Sequence, residues 1–204
     1  MLRLLILLML VASLIRGAET TIVFLGDSLT AGYGLEESLA YPALIQAAQP
    51  KWKVINAGVS GDTSAGGLRR LTWILKAKPK VVFIALGAND GLRGLPIEQL
   101  AQNLTKIITQ VRAAGATPVL AGMRLPANYG EEYRTRFAAA YEQLATSTKT
   151  PLMPFLLEGV AMKPELNQAD SVHPNAAGQQ LIATNVVAFL QAEFAEKKKQ
   201  TPVP

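Results

Sequence analysis

The sequence predicts an α/β domain on a five-stranded parallel sheet, and two patterns carry that expectation. Five short runs of β-branched and apolar residues each close on a glycine, an asparagine or a polar turn. Between them lie longer segments whose apolar residues recur at helical spacing. Strands that alternate with helices need crossover connections, and these place helices on both faces of a parallel sheet.

The expected strands are Thr20 to Leu25 (TTIVFL), Trp52 to Asn56 (WKVIN), Lys80 to Leu86 (KVVFIAL) and Thr117 to Met123 (TPVLAGM). A fifth, Leu152 to Phe155 (LMPF), is weaker because Pro154 interrupts it. Leu68, Leu71, Ile74 and Leu75 form one helical stripe. Leu100, Leu104, Ile107, Ile108 and Val111 form another, in a helix that Pro96 can open and Gly115 can close. Tyr133, Phe137, Tyr141 and Leu144 give a third, and Leu181, Ile182, Asn185, Val186, Phe189 and Leu190 a last. No linker, repeat or composition break divides this body, so residues 18–196 read as one domain.

The ends differ from the body. In Met1 to Ile15 only Arg3 and Ser13 are not apolar, and the small residues Gly17 and Ala18 follow. A spanning helix needs about 20 apolar residues, so residues 1–17 read as a signal peptide removed on export, with periplasmic or secreted destination and no stable membrane insertion afterwards. Residues 197–204 (KKKQTPVP) read as a disordered basic tail. The chain has 20 Lys+Arg against 15 Asp+Glu, a formal charge of +5. Arg3, Arg16 and Lys197 to Lys199 account for that excess, which leaves the body neutral and argues against a nucleic-acid partner. With no cysteine, the fold rests on its core rather than on disulfides.

In open parallel sheets ligands bind beyond the carboxyl ends of the strands. The first strand runs directly into Gly26-Asp27-Ser28-Leu29, which places Ser28 where a nucleophile is needed. The second leads to Ser60-Gly61-Asp62-Thr63-Ser64 and the third to Gly87-Ala88-Asn89-Asp90. Glycine N–H groups and the Asn89 side-chain amide are candidate donors to an oxyanion. His173 is the sole histidine, three residues after Asp170 in a polar loop ahead of the last helix. It is the one candidate base near neutral pH, and Asp170 can fix its tautomer. One histidine and no cysteine give poor support for a transition-metal site.

Together these blocks resemble the SGNH, or GDSL, hydrolases, and within them the bacterial periplasmic branch of acyl-CoA thioesterases, lysophospholipases and arylesterases. Gly26-Asp27-Ser28-Leu29, Gly61, Gly87-Ala88-Asn89-Asp90 and Asp170 with His173 carry the family likeness, in the family's order. Asn89 to Gly94 and Arg124 to Gly130 (RLPANYG) carry the likeness to the branch, with Ala88 standing where that branch often has a second glycine.

The resemblance implies a three-layer α/β/α flavodoxin-like sandwich. It also implies an esterase or thioesterase that works through an acyl-enzyme on Ser28, with His173 as base and Asp170 as its orienting carboxylate. The oxyanion hole is then the N–H of Ser28, the N–H of Gly61 and the amide of Asn89, with Asp27 and Asp90 bracing the loops. No metal or cofactor is expected. The expected partner is a small acyl ester or a lysophospholipid, with a monomer plausible. Gly91, Leu92 and Leu95 form a candidate apolar lip over the acyl chain, with a plain helix-entry loop as the alternative. Two rival functions stand: a carbohydrate O-acetylesterase of the same family, and a non-catalytic flavodoxin-like binding module.

Overall fold

A computed structural model of the chain describes residues 20–200, with side chains to residue 195. The expected signal segment and residues 201–204 lie outside the described residues. All five strands are present: β1 (Thr20–Gly26), β2 (Trp52–Gly58), β3 (Val81–Ala85), β4 (Thr117–Ala121) and β5 (Leu152–Met153). They form one parallel sheet in the order β2-β1-β3-β4-β5. β5 has only two residues, because Pro154 follows it with no N–H to give to the ladder.

The helices are α1 (Ser28–Ala31), α2 (Tyr41–Ala48), α3 (Ser64–Leu75), α4 (Ala88–Leu92), α5 (Ile97–Ala113), α6 (Glu131–Thr148) and α7 (Ala176–Gln200). α3, α5 and α6 pack side by side as one layer, and α2 packs with α7. The result is the three-layer α/β/α sandwich that the resemblance implied, and its strand order, which the sequence reading left open, is flavodoxin-like. The stripe of α5 is buried along its length at Leu100, Leu104, Ile107, Ile108 and Val111. Pro96 is its N-cap, and Gly115, just beyond the C-cap, takes the left-handed φ of +78° that ends the helix. Phe137, Tyr141 and Leu144 are buried under α6, and Ile182, Val186 and Leu190 under α7.

Two boundaries shift. The sequence reading assigned no helix to Tyr41–Ala48, although Pro42 in its first turn is a start signal. α7 also runs on to Gln200, past the expected domain boundary at residue 196, so the triplet Lys197 to Lys199 is helical rather than a disordered tail. Ala, Glu, Lys and Gln are all strong helix formers, and nothing in Ala192 to Gln200 breaks the helix.

The central strands are apolar on both faces. Ile22 to Leu25 and Val82 to Ala85 are fully buried, as expected for a sheet covered on each side. Register then places the site. Gly26 is aligned with Gly58 on one side and Ala85 on the other, so three strands end at one level. The two neighbours of β1 are reached by crossovers on opposite faces, which opens a crevice where the strand order reverses.

Candidate active site

The loops after β1, β2 and β3 converge in that crevice. Asp27 caps α1, accepting the N–H of Leu29 at 3.0 Å, and this sets Ser28 at the first position of the short helix. Gly58 allows the next loop to pass close by, because a Cβ there would collide with the backbone of Thr30 and Ala31. That loop is braced by Arg70, which donates to Asp62 at 2.7 Å, to the carbonyl of Ala57 at 2.6 Å and to that of Gly26 at 2.9 Å. The third loop is tied to the second by Asp90, whose carboxylate accepts the N–H of Ser64 at 2.8 Å and also its hydroxyl. Asp27 and Asp90 thus act as the braces the sequence suggested.

The structure brings Ser28, His173 and Asp170 into one hydrogen-bonded line. His173 Nε2 lies 2.9 Å from Ser28 Oγ, and its Nδ1 lies 2.7 Å from Asp170 Oδ2. The other carboxylate oxygen of Asp170 accepts the backbone N–H groups of Val172 and His173, each at 2.9 Å. Those bonds, the His173 N–H first and the imidazole next, hold the Asp170 carboxyl down at about 2. Tyr33 lies against the imidazole, its ring centroid 4.6 Å away. Gln179, buried in α7, donates to the carbonyl of Leu29 at 3.2 Å and accepts the N–H of Tyr41, which docks the last helix on the first loop.

Of the three expected oxyanion donors, Ser28 and Asn89 line this crevice, and Gly61 lies on the adjoining loop after β2. Among the described residues, the N–H groups of Ser28 and Gly61 have no acceptor within the protein. Gly61 has a left-handed φ of +79°. Asn89 stands near the start of α4 and its Nδ2 donates to the carbonyl of Asp62 at 3.0 Å and to Asp27 Oδ2 at 3.3 Å. Burial pushes the Asp27 carboxyl up to about 6, against the pull of the Leu29 and Asn89 donors.

A cleft of about 290 Å³ leads away from Ser28 and Asn89. Leu92, Met123, Leu125, Phe155, Leu157 and Val172 are among the residues of its wall, which is mostly apolar. Of the three lip candidates, only Leu92 reaches it. Gly91 is buried with Leu125 and Phe137 against its Cα, and Leu95 lies outside the wall. The loop is tethered rather than loose, since Tyr129 donates to the carbonyl of Leu92 at 2.9 Å and Tyr133 to that of Leu95 at 3.1 Å. The residues of the cleft wall that sequence reasoning missed come from segments as far apart as Met123 and Val172, and no local spacing marks them as one surface. Among the described residues no group of three or more His, Cys, Asp or Glu side chains is placed to hold a metal ion, and no helix is long and apolar enough to cross a membrane.

Comparison with known proteins agrees with this geometry. Residues 24–181 match the GDSL-like Lipase/Acylhydrolase family. The chain is 47% identical over 176 residues to thioesterase 1/protease 1/lysophospholipase L1 of Escherichia coli (strain K12), covering 85% of each chain. It is 40% identical over 178 residues to an arylesterase of Vibrio mimicus, covering 85% of this chain and 89% of that one. The crystal structure of the psychrotrophic esterase EstA from Pseudoalteromonas sp., inhibited by monoethylphosphonate, superposes with a TM-score of 0.83 at 38% identity, over 86% of this chain and 99% of that one. A binding module without catalysis is thereby set aside: the chain belongs to the GDSL-like lipase/acylhydrolase family and is a hydrolase of ester bonds.

Proposed function

We propose that the chain hydrolyses carboxylic esters and thioesters of apolar acyl chains through an acyl-enzyme on Ser28. One observation carries the reading: the unbroken line Ser28–His173–Asp170 stands at the head of a cleft whose wall is mostly apolar. The relatives named for thioesterase, lysophospholipase and arylesterase activity support the same substrate class.

In the first half-reaction Ser28 Oγ attacks the acyl carbonyl carbon while His173 Nε2 takes the hydroxyl proton. Asp170, acceptor-only while ionised, keeps the Nδ1 proton on its own side of the ring, so Nε2 presents its lone pair to the serine. The carbonyl oxygen becomes an oxyanion within reach of the N–H groups of Ser28 and Gly61 and of the Asn89 amide. To serve it, the Asn89 N–H directed at Asp27 turns to the oxyanion, giving up a contact of only 3.3 Å. As the tetrahedral centre collapses, the bond to the leaving oxygen or sulfur breaks and His173 returns the proton to that atom. Water then repeats the sequence on the acyl-serine, deprotonated by His173, and the carboxylic acid departs.

An apolar cleft favours a longer acyl chain over acetate, which separates this reading from a carbohydrate O-acetylesterase. The expected result is a rise in kcat/KM from acetyl to mid-length nitrophenyl esters, with turnover of acyl-CoA and lysophospholipid in the same series. A sharp acetyl optimum favours the carbohydrate esterase instead. A fluorophosphonate probe is expected to label the wild type and to leave Ser28→Ala unlabelled; a labelled Ser28→Ala overturns the assignment of the nucleophile. The apolar run Met1 to Ile15 supports export to the periplasm or the medium. N-terminal sequencing of the mature protein beginning near Ala18 is the expected outcome, and a retained Met1 counts against it.

A further inference from the structure

We infer that Arg93 is a positioning residue that restrains two of the three oxyanion donors, Gly61 and Asn89, using a single guanidinium nitrogen. The inference rests on the reading of Gly61 and Asn89 as oxyanion donors.

Arg93 Nη2 donates to the carbonyl of Gly61 at 2.9 Å and lies 3.4 Å from Asn89 Oδ1. Among the described residues no carboxylate stands within ion-pair distance of Arg93, so these two acceptors are what the guanidinium serves. The two contacts restrain different freedoms. A guanidinium can only donate, so it selects the oxygen of the Asn89 amide on its side and leaves Nδ2 on the other, toward Asp62, Asp27 and the crevice. A side-chain amide turned by 180° would aim its oxygen at the developing negative charge, and the Arg93 contact disfavours that state. At Gly61 the φ of +79° is permitted but not enforced, since glycine samples many backbone states. The hydrogen bond to its carbonyl fixes the Gly61–Asp62 peptide, which limits the rotation about Gly61 that would swing its N–H, one peptide earlier, away; a Cβ at Gly61 would lie 3.5 Å from the guanidinium.

The local sequence explains the reach. Asn89 and Arg93 are four residues apart across the short helix α4, whose C-cap is Arg93, so both side chains rise on one face. Gly94, at φ +64°, then turns the chain away. Arg93 itself is exposed, so its removal takes a bond from the site without opening the core.

Arg93→Ala is expected to lower kcat for nitrophenyl acetate about 10- to 100-fold, less than loss of a donor itself, while KM stays near its wild-type value. Its melting temperature is expected to move by under about 3 °C, as for other exposed ionic contacts. Arg93→Lys is expected to recover part of the rate, because one nitrogen makes both contacts, and millimolar guanidinium is expected to restore turnover to Arg93→Ala. Wild-type kcat in Arg93→Ala, or a rise in KM alone, overturns the inference; so does a lowered kcat that neither guanidinium nor Arg93→Lys restores. Unimpaired turnover in Asn89→Ala overturns instead the oxyanion reading beneath it, so the two failures are distinct.

Discussion

Asp27 and Asp170 flank the same reactive pair from opposite environments. Asp27 follows β1, is fully buried, and its carboxyl is pushed up to about 6 by desolvation. Asp170 sits in the loop before α7, largely open to solvent, and is held at about 2, chiefly by the backbone N–H of His173 and then by its imidazole. The nucleophile side is cross-tied over long sequence distances, by Asp90 to Ser64 and by Arg70 to Gly26. The base side is a short solvent-facing loop whose own backbone makes the carboxylate's bonds. Burial thus builds the platform for Ser28 at an electrostatic cost, whereas local hydrogen bonding keeps the histidine's partner ionised at any working pH.

The most damaging test of that contrast is Asp170→Asn. The variant keeps the side-chain shape but exchanges an acceptor for a donor facing Nδ1, so His173 takes the wrong tautomer; kcat is expected to fall about 10⁴-fold with the fold intact. A loss of under tenfold means that the exposed carboxylate does not orient the imidazole. On the buried side, Asn89→Ala removes one donor and is expected to cost about 10²–10³ in kcat with little change in KM. Steady-state kinetics on a short nitrophenyl ester measure both.

The smallest effect is thermodynamic and has opposite sign for the two carboxylates. Asp27 binds its proton more tightly folded than unfolded, so its burial weighs against stability above pH 6, and that penalty is relieved as pH falls toward 4. Asp170 behaves conversely: its contribution is present above pH 4 and is lost as pH falls toward 2. Urea denaturation of wild type and Asp27→Asn at pH 4 and pH 8 isolates the first, with a change in their stability difference of at most about 3 kcal/mol. A difference independent of pH over that range contradicts the buried titration.

Much of this was legible in the sequence because the signals are local. Strands such as KVVFIAL are continuous apolar runs, and the α5 stripe repeats at helical spacing in one window. The candidate site residues were legible as a combination, since Ser28, Asn89 and Asp170 with His173 lie in loops near strand ends or before a helix and the family resemblance added Gly61. What escaped depends on distance in space. The wall of the cleft draws on Met123, Phe155 and Val172, which only the packed sheet brings together. The choice between an apolar lip and a plain helix-entry loop at GLRGLP also rests on distant partners, since Tyr129 and Tyr133 from a later segment fasten its carbonyls while Leu92 lines the cleft. Arg93 gave no sign of its role, because an arginine in a glycine loop reads as a solvated charge until Gly61 is found beneath it.

Ser28 and His173 meet across 145 residues of sequence, and Gln179 closes on Leu29 across 150. A polypeptide leaving the ribosome therefore carries its serine through nearly the whole of synthesis before the imidazole that activates it has been made. On the proposed mechanism ester cleavage requires the final segment to dock, so a chain truncated before His173 is expected to be inactive and the onset of turnover is expected to follow completion of the fold.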